Sequence, residues 1–336
     1  MDLNTLWFIL IGFLFTGYFF LEGFDFGVGM LLPLISKKDN ERRMIINSIG
    51  TFWDGNEVWL VVAGGAMFAA FPHWYATLFS GFYLPLFVIL LALIIRGVSF
   101  EFRSSNYHPA WRHVWDWMLF TGSLVPALLW GVAFANFLRG VPIDANMNYT
   151  GGFLNLVNMY ALLTGLLTFG LFMLHGALFL NLRTSGEIRA KARNVAQFTW
   201  SPVLIVFIAF AIYSSFATDL YTHAPAAMAT SFFAVVALVF VRIYLRQRKS
   251  GLAFTMTGLV ILFTVATMFV GLYPRLLISS LYSDWSLTIH NASSSPYTLK
   301  VMSIVILIFM PVVMAYQAWT YWIFRKRLVS DRDLEY

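Results

Sequence analysis

Nine runs of mostly apolar residues divide the chain, and each is close to the roughly 20 residues a helix needs to cross a bilayer. They lie at about Leu6 to Ile35, Ile46 to Phe71, Tyr75 to Ile95, Val114 to Phe137, Phe153 to Leu182, Phe198 to Phe216, Ala226 to Leu245, Leu252 to Leu272 and Leu299 to Phe324. The polar residues gather between the runs, in short stretches rich in Lys, Arg, Ser and Asn. This pattern predicts an all-α integral membrane protein with nine transmembrane helices.

The basic residues orient that bundle, because Lys and Arg concentrate in cytoplasmic loops. With the N-terminus outside, the inner segments are KKDNERR, RGVSFEFRSSNYHPAWR, RTSGEIRAKAR, RIYLRQRK and the C-terminal FRKRLVSDR, which hold 19 of the 22 Lys and Arg residues. Arg139, Arg275 and Lys300 are left outside. The resulting arrangement is multi-pass, with the N-terminus outside and the C-terminus cytoplasmic. Topology thus accounts for the net charge of +6 without a nucleic-acid partner. Clusters such as FPHWYATLF and WRHVWDWMLF read as aromatic belts against membrane lipids.

Composition agrees: 60% of the 336 residues are hydrophobic and 11% charged, against about a quarter charged in soluble domains. The absence of cysteine excludes disulfides, thiolate clusters and covalent c-type haem, so a cofactor here would need His, Met or carboxylates. MDLNT runs directly into the first apolar segment, and nothing in it suggests a removable signal peptide.

An internal repeat is visible. GYFFLEG at Gly17 to Gly23 resembles GLFMLHG at Gly170 to Gly176, an offset of 153, and NSIGTFWD from Asn47 resembles NVAQFTWS from Asn194, an offset of 147. The matches predict two pseudo-repeated four-helix bundles plus one peripheral helix: residues 1–146, residues 147–297 with an extracytoplasmic loop, and residues 298–336 as the ninth helix and cytoplasmic tail. His175 replaces Glu22, Leu178 replaces Asp25 and Ser201 replaces Asp54 in the second copy. The acids therefore belong to one half, which a purely architectural role would not require.

Four carboxylates fall inside predicted helices: Glu22 and Asp25 in FLEGFDFGVGM, Asp54 and Glu57 in TFWDGNEVWL. Each pair is spaced i, i+3, which puts both members on one helical face. A charge at the membrane centre costs about 2.5 to 3.5 kcal/mol on insertion scales, so these groups must face one another, water or a partner chain. Burial favours the neutral form of a carboxyl, so such groups can take up and pass on protons. All four fall in the inner half of the membrane, on adjacent helices, where a proton-uptake path would begin. Gly23 and Gly27, with Gly29, supply a small-residue pattern for close helix approach, placing the acids in the seam. Asn56 reads as a hydrogen-bond partner and Trp53 as a supporting residue. The competing reading is a satisfied polar network that fixes helix register without moving protons.

Other polar residues rank lower. His175 reads as a hydrogen-bonded interior histidine rather than a haem ligand, and His73, His108, His113, His223 and His290 lie in or beside loops. Arg96, Glu101, Arg103 and Asp116 read as interfacial ion pairs beside the proton entrance. The 14 Met residues are explained by packing.

GFDFGVGM at Gly23 to Met30, ERRMIINSIGTFWDGNEVWLVVAGGAMFAAFP at Glu41 to Pro72 and RHVWDWMLFTGSLVPALLWGVAFANFLRGVP at Arg112 to Pro142 strongly resemble subunit II of the cytochrome bd-type quinol oxidases. The likeness is close over the first 145 residues and continues in helix count to AYQAWTYW at Ala315 to Trp322. It implies a subunit of a respiratory terminal oxidase that oxidises quinol and reduces dioxygen to water with proton uptake from the cytoplasm. It further implies a heterodimer with subunit I, which carries two b-type haems and one d-type haem, while subunit II binds none. Room remains for a small single-helix accessory subunit. By the same resemblance Asp54 of the WDGN motif lies on a proton pathway, with Glu22 and Asp25 as further pathway or structural groups. Glu57 completes the pathway set, and the resemblance supports it less than the other acids because some members carry Gln at that place.

Two other functions fit parts of the pattern. A proton-coupled secondary transporter would suit the repeat and the midplane acids, yet one half lacks the polar groups to complete a substrate site. A haem-bearing redox subunit would need facing axial ligands, which a lone membrane-embedded His175 does not supply.

Overall fold

The computed structural model describes residues 2–328, so the last eight residues of the expected cytoplasmic tail lie outside the described residues. Twelve α-helices make up nearly all of it: α1 (Leu3–Ile35), α2 (Asp39–Gly50), α3 (Trp53–Ala70), α4 (Pro72–Gly81), α5 (Tyr83–Phe102), α6 (Pro109–Arg139), α7 (Met159–Arg183), α8 (Gly186–Ala217), α9 (Leu220–His223), α10 (Pro225–Arg246), α11 (Ser250–Leu272) and α12 (Pro296–Ile323). A short antiparallel pair, β1 (Arg275–Leu277) and β2 (Leu287–Thr288), closes the connection before α12.

Among the described residues eight helices are long and apolar enough to span a membrane, namely α1, α5, α6, α7, α8, α10, α11 and α12. Two expected spans are not continuous. Ile46 to Phe71 is split between α2 and α3 at Thr51 and Phe52, and Tyr75 to Ile95 is split between α4 and α5 at Phe82. In the first case Asp54, Asn56 and Glu57 fall in the opening turns of α3, which leaves that helix too polar to qualify by hydropathy. In the second, Pro85 sits in the first turn of α5, where its missing N–H costs no intrahelical bond, and it cannot donate to Gly81 at the end of α4.

The centre of the bundle is α1, whose apolar window is 61% buried, packed against α3, α6, α7 and α11. Its N-terminus is capped by Asp2, whose carboxylate accepts a 2.7 Å hydrogen bond from the Thr5 amide. Glycine sets its approach to α7: a β-carbon on Gly27 would lie 2.8 Å from the Gly176 Cα, and one on Gly23 would lie 2.8 Å from the Phe172 ring. At the other extreme α12 is only 6% buried and lies at the periphery. It is held by the Trp7 indole, which donates to Leu299 O and Ser303 Oγ, and by Tyr321, which stacks on Phe52 with ring centroids 4.4 Å apart.

Candidate functional site: a buried cluster of acids around Arg96

Asp25 stands ten residues before the end of α1, about 15 Å along the helix, and Arg96 six residues before the end of α5, about 9 Å. Both side chains are completely buried. Arg96 Nη1 lies 2.8 Å from Glu22 Oε2 and 2.7 Å from Glu57 Oε1, and Nη2 lies 3.9 Å from Asp25 Oδ2. The guanidinium sits over the rings of Phe26 and Phe100, at 5.0 and 5.9 Å from their centroids. Arg96 is thus the hub of the acid cluster and not an interfacial residue. It reaches that depth because α5 packs closely on α6 there: a β-carbon on Gly122 would meet Ala92 O at 2.7 Å.

A polar chain leads from this hub to α12. Asn56 Nδ2 donates to Asp25 Oδ2 at 2.7 Å. The Asn56 carbonyl accepts from Tyr321 Oη at 2.8 Å and from Gln317 Nε2 at 3.1 Å. Gln317 in turn accepts from the Trp59 indole at 3.2 Å. Sequence reasoning passed over Gln317 and Tyr321, although two polar residues spaced i, i+4 in an otherwise apolar helix were the available signal.

Three of the four expected acids meet at Arg96; the fourth does not. Asp54 is exposed on the surface of the chain, whereas the side chain of Glu57 is 23% exposed. The reason lies in the period of α3. Asn56, Trp59, Ala63, Met67 and Ala70 form its buried stripe, and at about 100° per residue Asp54 falls on the opposite side from Asn56 while Glu57 falls at the stripe's edge. Trp53 stacks on Phe100, with centroids 4.8 Å apart and planes 9° apart, and so packs α3 against α5 beside Arg96. Gly23 and Gly27 serve the α1–α7 contact, a different face of α1 from the one that carries the acid seam.

With all three clustered carboxylates ionised, one guanidinium would face three negative charges in a low-dielectric interior. That imbalance is relieved when protons are bound. Among the described residues Glu22 Oε1 and Asp25 Oδ1 accept no hydrogen bond and Arg96 Nε donates none, a rarity for buried polar atoms.

His175 is fully buried with both ring nitrogens engaged, Nε2 with Phe20 O at 3.1 Å and Nδ1 with Thr257 Oγ1 at 2.7 Å. Its ring stacks on Phe254, with centroids 4.4 Å apart. A haem axial ligand needs a free ring nitrogen, so these contacts do not fit that role. Nearer the basic end, Arg103 bonds Asp116 and Asp39 at 2.7 Å each, while Arg42 also reaches Asp116 and Arg112 reaches Asp39. This network ties α2, α5 and α6 together beneath the acid cluster.

Residues 3–324 match the family model described as cytochrome bd terminal oxidase subunit II. The chain belongs to this family. As a member it is a multi-pass membrane protein and a subunit of a terminal oxidase, an oxidoreductase. The cytochrome bd ubiquinol oxidase subunit 2 of Bacillus subtilis is 45% identical over 336 residues, covering 100% of this chain and 99% of that protein. The cytochrome bd-I ubiquinol oxidase subunit 2 of Escherichia coli K12 is 35% identical over 367 residues, covering 99% and 97%. A probable cytochrome oxidase subunit 2 of Haemophilus influenzae is 37% identical over 352 residues, covering 95% and 93%. In fold, the chain superposes on one chain of the bd oxidase structure from Geobacillus thermodenitrificans with a TM-score of 0.79 at 18% identity, covering 96% of this chain and 99% of that one. Membership of the family sets the transporter reading aside.

Proposed function

We propose that this chain is the haem-free subunit II of a heterodimeric quinol oxidase that reduces dioxygen to water. In this reading it provides scaffold and a proton route from the cytoplasm towards haems held by subunit I. The observation that carries the reading is the Arg96 cluster, in which two fully buried acids and one half-buried acid share a single cation.

The route begins at Asp54, exposed in the first turn of α3 near the basic end of the bundle. Glu57, one turn further on, touches both the surface and Arg96, and passes the proton inward. Glu22 and Asp25 hold it, with Arg96 stabilising whichever carboxylate is ionised at that moment. An exposed carboxylate is costly against lipid, so in this reading Asp54 faces water or subunit I and not lipid. The orientation with basic loops in the cytoplasm supports entry from that side.

Asp54→Asn in the assembled complex tests the route. Its haem spectrum should remain while the oxygen-reduction rate falls by roughly 10- to 100-fold, up to the low end of what a positioned proton-transfer group supplies. Normal turnover with normal charge translocation would remove Asp54 from the route, and failure to assemble would assign it a structural role.

A further inference from the structure

A second polar cavity of about 260 Å³ lies at the basic end of the bundle, away from the acid cluster. Its walls come from the last turns of α7 and α10 and the first turns of α8 and α11, with Arg189, Arg193, Arg248, Asn181 and Ser250 among the lining residues. All four helices are long and apolar enough to span a membrane, so their shared end places the cavity at headgroup level.

Three guanidinium groups converge here and only part of their donor capacity is used. Arg193 Nη2 donates to Leu245 O at 3.2 Å, and its buried Nε has no partner among the described residues. Arg189 Nε donates to Asn181 Oδ1 at 3.3 Å, and Asn181 Nδ2 donates to Ser250 Oγ at 3.0 Å. Among the described residues no carboxylate lines the cavity; Glu187, beside it in sequence, is 66% exposed and paired with Lys191. The N-cap residues of α8 and α11, Ser185 and Lys249, make no side-chain cap bond, and the first turn of α11 holds no acidic residue, so that helix start adds unneutralised positive potential.

The turn that delivers Arg248 is itself informative. After α10 the Lys249 amide bonds Tyr244 O at 3.0 Å and the Arg248 amide bonds Leu245 O at 3.2 Å, the pattern of a Schellman closure. Its left-handed position is normally glycine, yet here Arg248 occupies it at φ 61°. A long cation has been placed where glycine would be less strained, beside two other arginines.

We propose that this cavity binds the phosphate group of an anionic ligand, as a phospholipid headgroup or free phosphate would present it. The guanidinium forks match phosphate oxygens geometrically, and basic pockets between spanning helices are suited to anionic headgroups. The cavity volume accommodates such a group while excluding acyl chains, which would lie along the apolar flanks of the helices.

The test uses the whole oxidase complex reconstituted in nanodiscs of phosphatidylcholine containing phosphatidylglycerol. Lipid retained after detergent extraction is read by native mass spectrometry, and inorganic phosphate is titrated separately by calorimetry. Arg248→Gly should lower retention or affinity about five-fold while leaving the melting temperature unchanged or raised, because glycine relaxes the turn. Arg189→Gln should weaken binding similarly. Retention of phosphatidylglycerol that phosphate does not displace identifies a headgroup site, whereas reversible phosphate binding without lipid preference identifies a free-phosphate site. If both variants bind like the unmodified complex, or if no phosphorus-bearing ligand is held because carboxylates of residues 329–336 fill the cavity, the proposal is overturned.

Discussion

Tyr321 Oη donates a 2.8 Å hydrogen bond to Asn56 Oδ1, and so joins the peripheral α12 to the residue whose amide holds Asp25. A helix with so little of its surface buried relies on a few such contacts for its position. Tyr321→Phe keeps the ring stacked on Phe52 and removes only the hydroxyl. Asn56 Oδ1 retains Gln317 as a donor, so the loss should be about 1 kcal/mol. A thermal melt of the purified complex reads this directly, and a fall in oxygen-reduction rate beyond it would show that α12 also positions the acid cluster.

Among the described residues Arg96 is the sole cation paired with Glu22, Asp25 and Glu57. Its replacement by Met leaves buried carboxylates without a counter-charge, a change that costs about 3 to 5 kcal/mol when one partner of a buried pair is lost. Arg96→Met should therefore reduce the yield of assembled complex sharply. Combining it with Glu22→Gln and Asp25→Asn should restore much of that yield while proton-coupled turnover stays low. If the single variant assembles normally, the cluster is less buried in the complex than in this chain.

Close packing at Gly27 predicts a contrast with an open glycine. A β-carbon at Gly27 would press on the backbone of α7 at Phe172 and Gly176, whereas one at Gly251 meets nothing within 4 Å. Gly27→Ala should destabilise by about 1 to 3 kcal/mol, the usual cost of overpacking. Gly251→Ala, within α11, should be neutral or stabilising by up to about 1 kcal/mol. Melting temperatures of the two variants in the same detergent decide the matter.

Glu41 in α2 accepts from the Lys37 and Lys38 amides at 2.6 and 3.3 Å and from Lys191 Nζ at 2.9 Å. Burial pushes its carboxyl up, but the Lys37 amide, the Lys191 ammonium and the Lys38 amide outweigh burial and hold it at about 2, below the ordinary 4.5. A depressed carboxyl stabilises the folded state fully above its ordinary value and loses that contribution as the pH falls towards 2. Glu41→Gln should accordingly be less stable than the parent at pH 7, with the gap narrowing as the pH falls from about 4.5 towards 2. Melts of both proteins across that range check the sign, and a constant gap would refute the linkage.

Hydropathy and the distribution of Lys and Arg made the membrane bundle legible in the sequence, because apolar length and charge asymmetry are properties of the chain itself. The motifs around Gly23, Trp53 and Arg112 were sufficient to indicate the family, and spacing alone put Glu22 with Asp25 on one face of α1. The breaks at Phe52 and Phe82 were hidden, since a run of apolar residues does not reveal where its helix bends.

Which polar groups meet was decided only by the tertiary structure. Arg96, near the end of an apolar run, is drawn into the interior by the close packing of α5 on α6 at Gly122. Asp54, in the same short motif as Glu57 and Asn56, is turned outward because the buried stripe of α3 passes through Asn56. Gln317 and Tyr321 join the cluster from more than 250 residues away in sequence, as seen in the Gln317–Asn56 and Tyr321–Asn56 bonds. Helical period fixes the relative angles of neighbouring side chains along one helix, but what they meet depends on how separate helices pack, and that is a property of the whole fold.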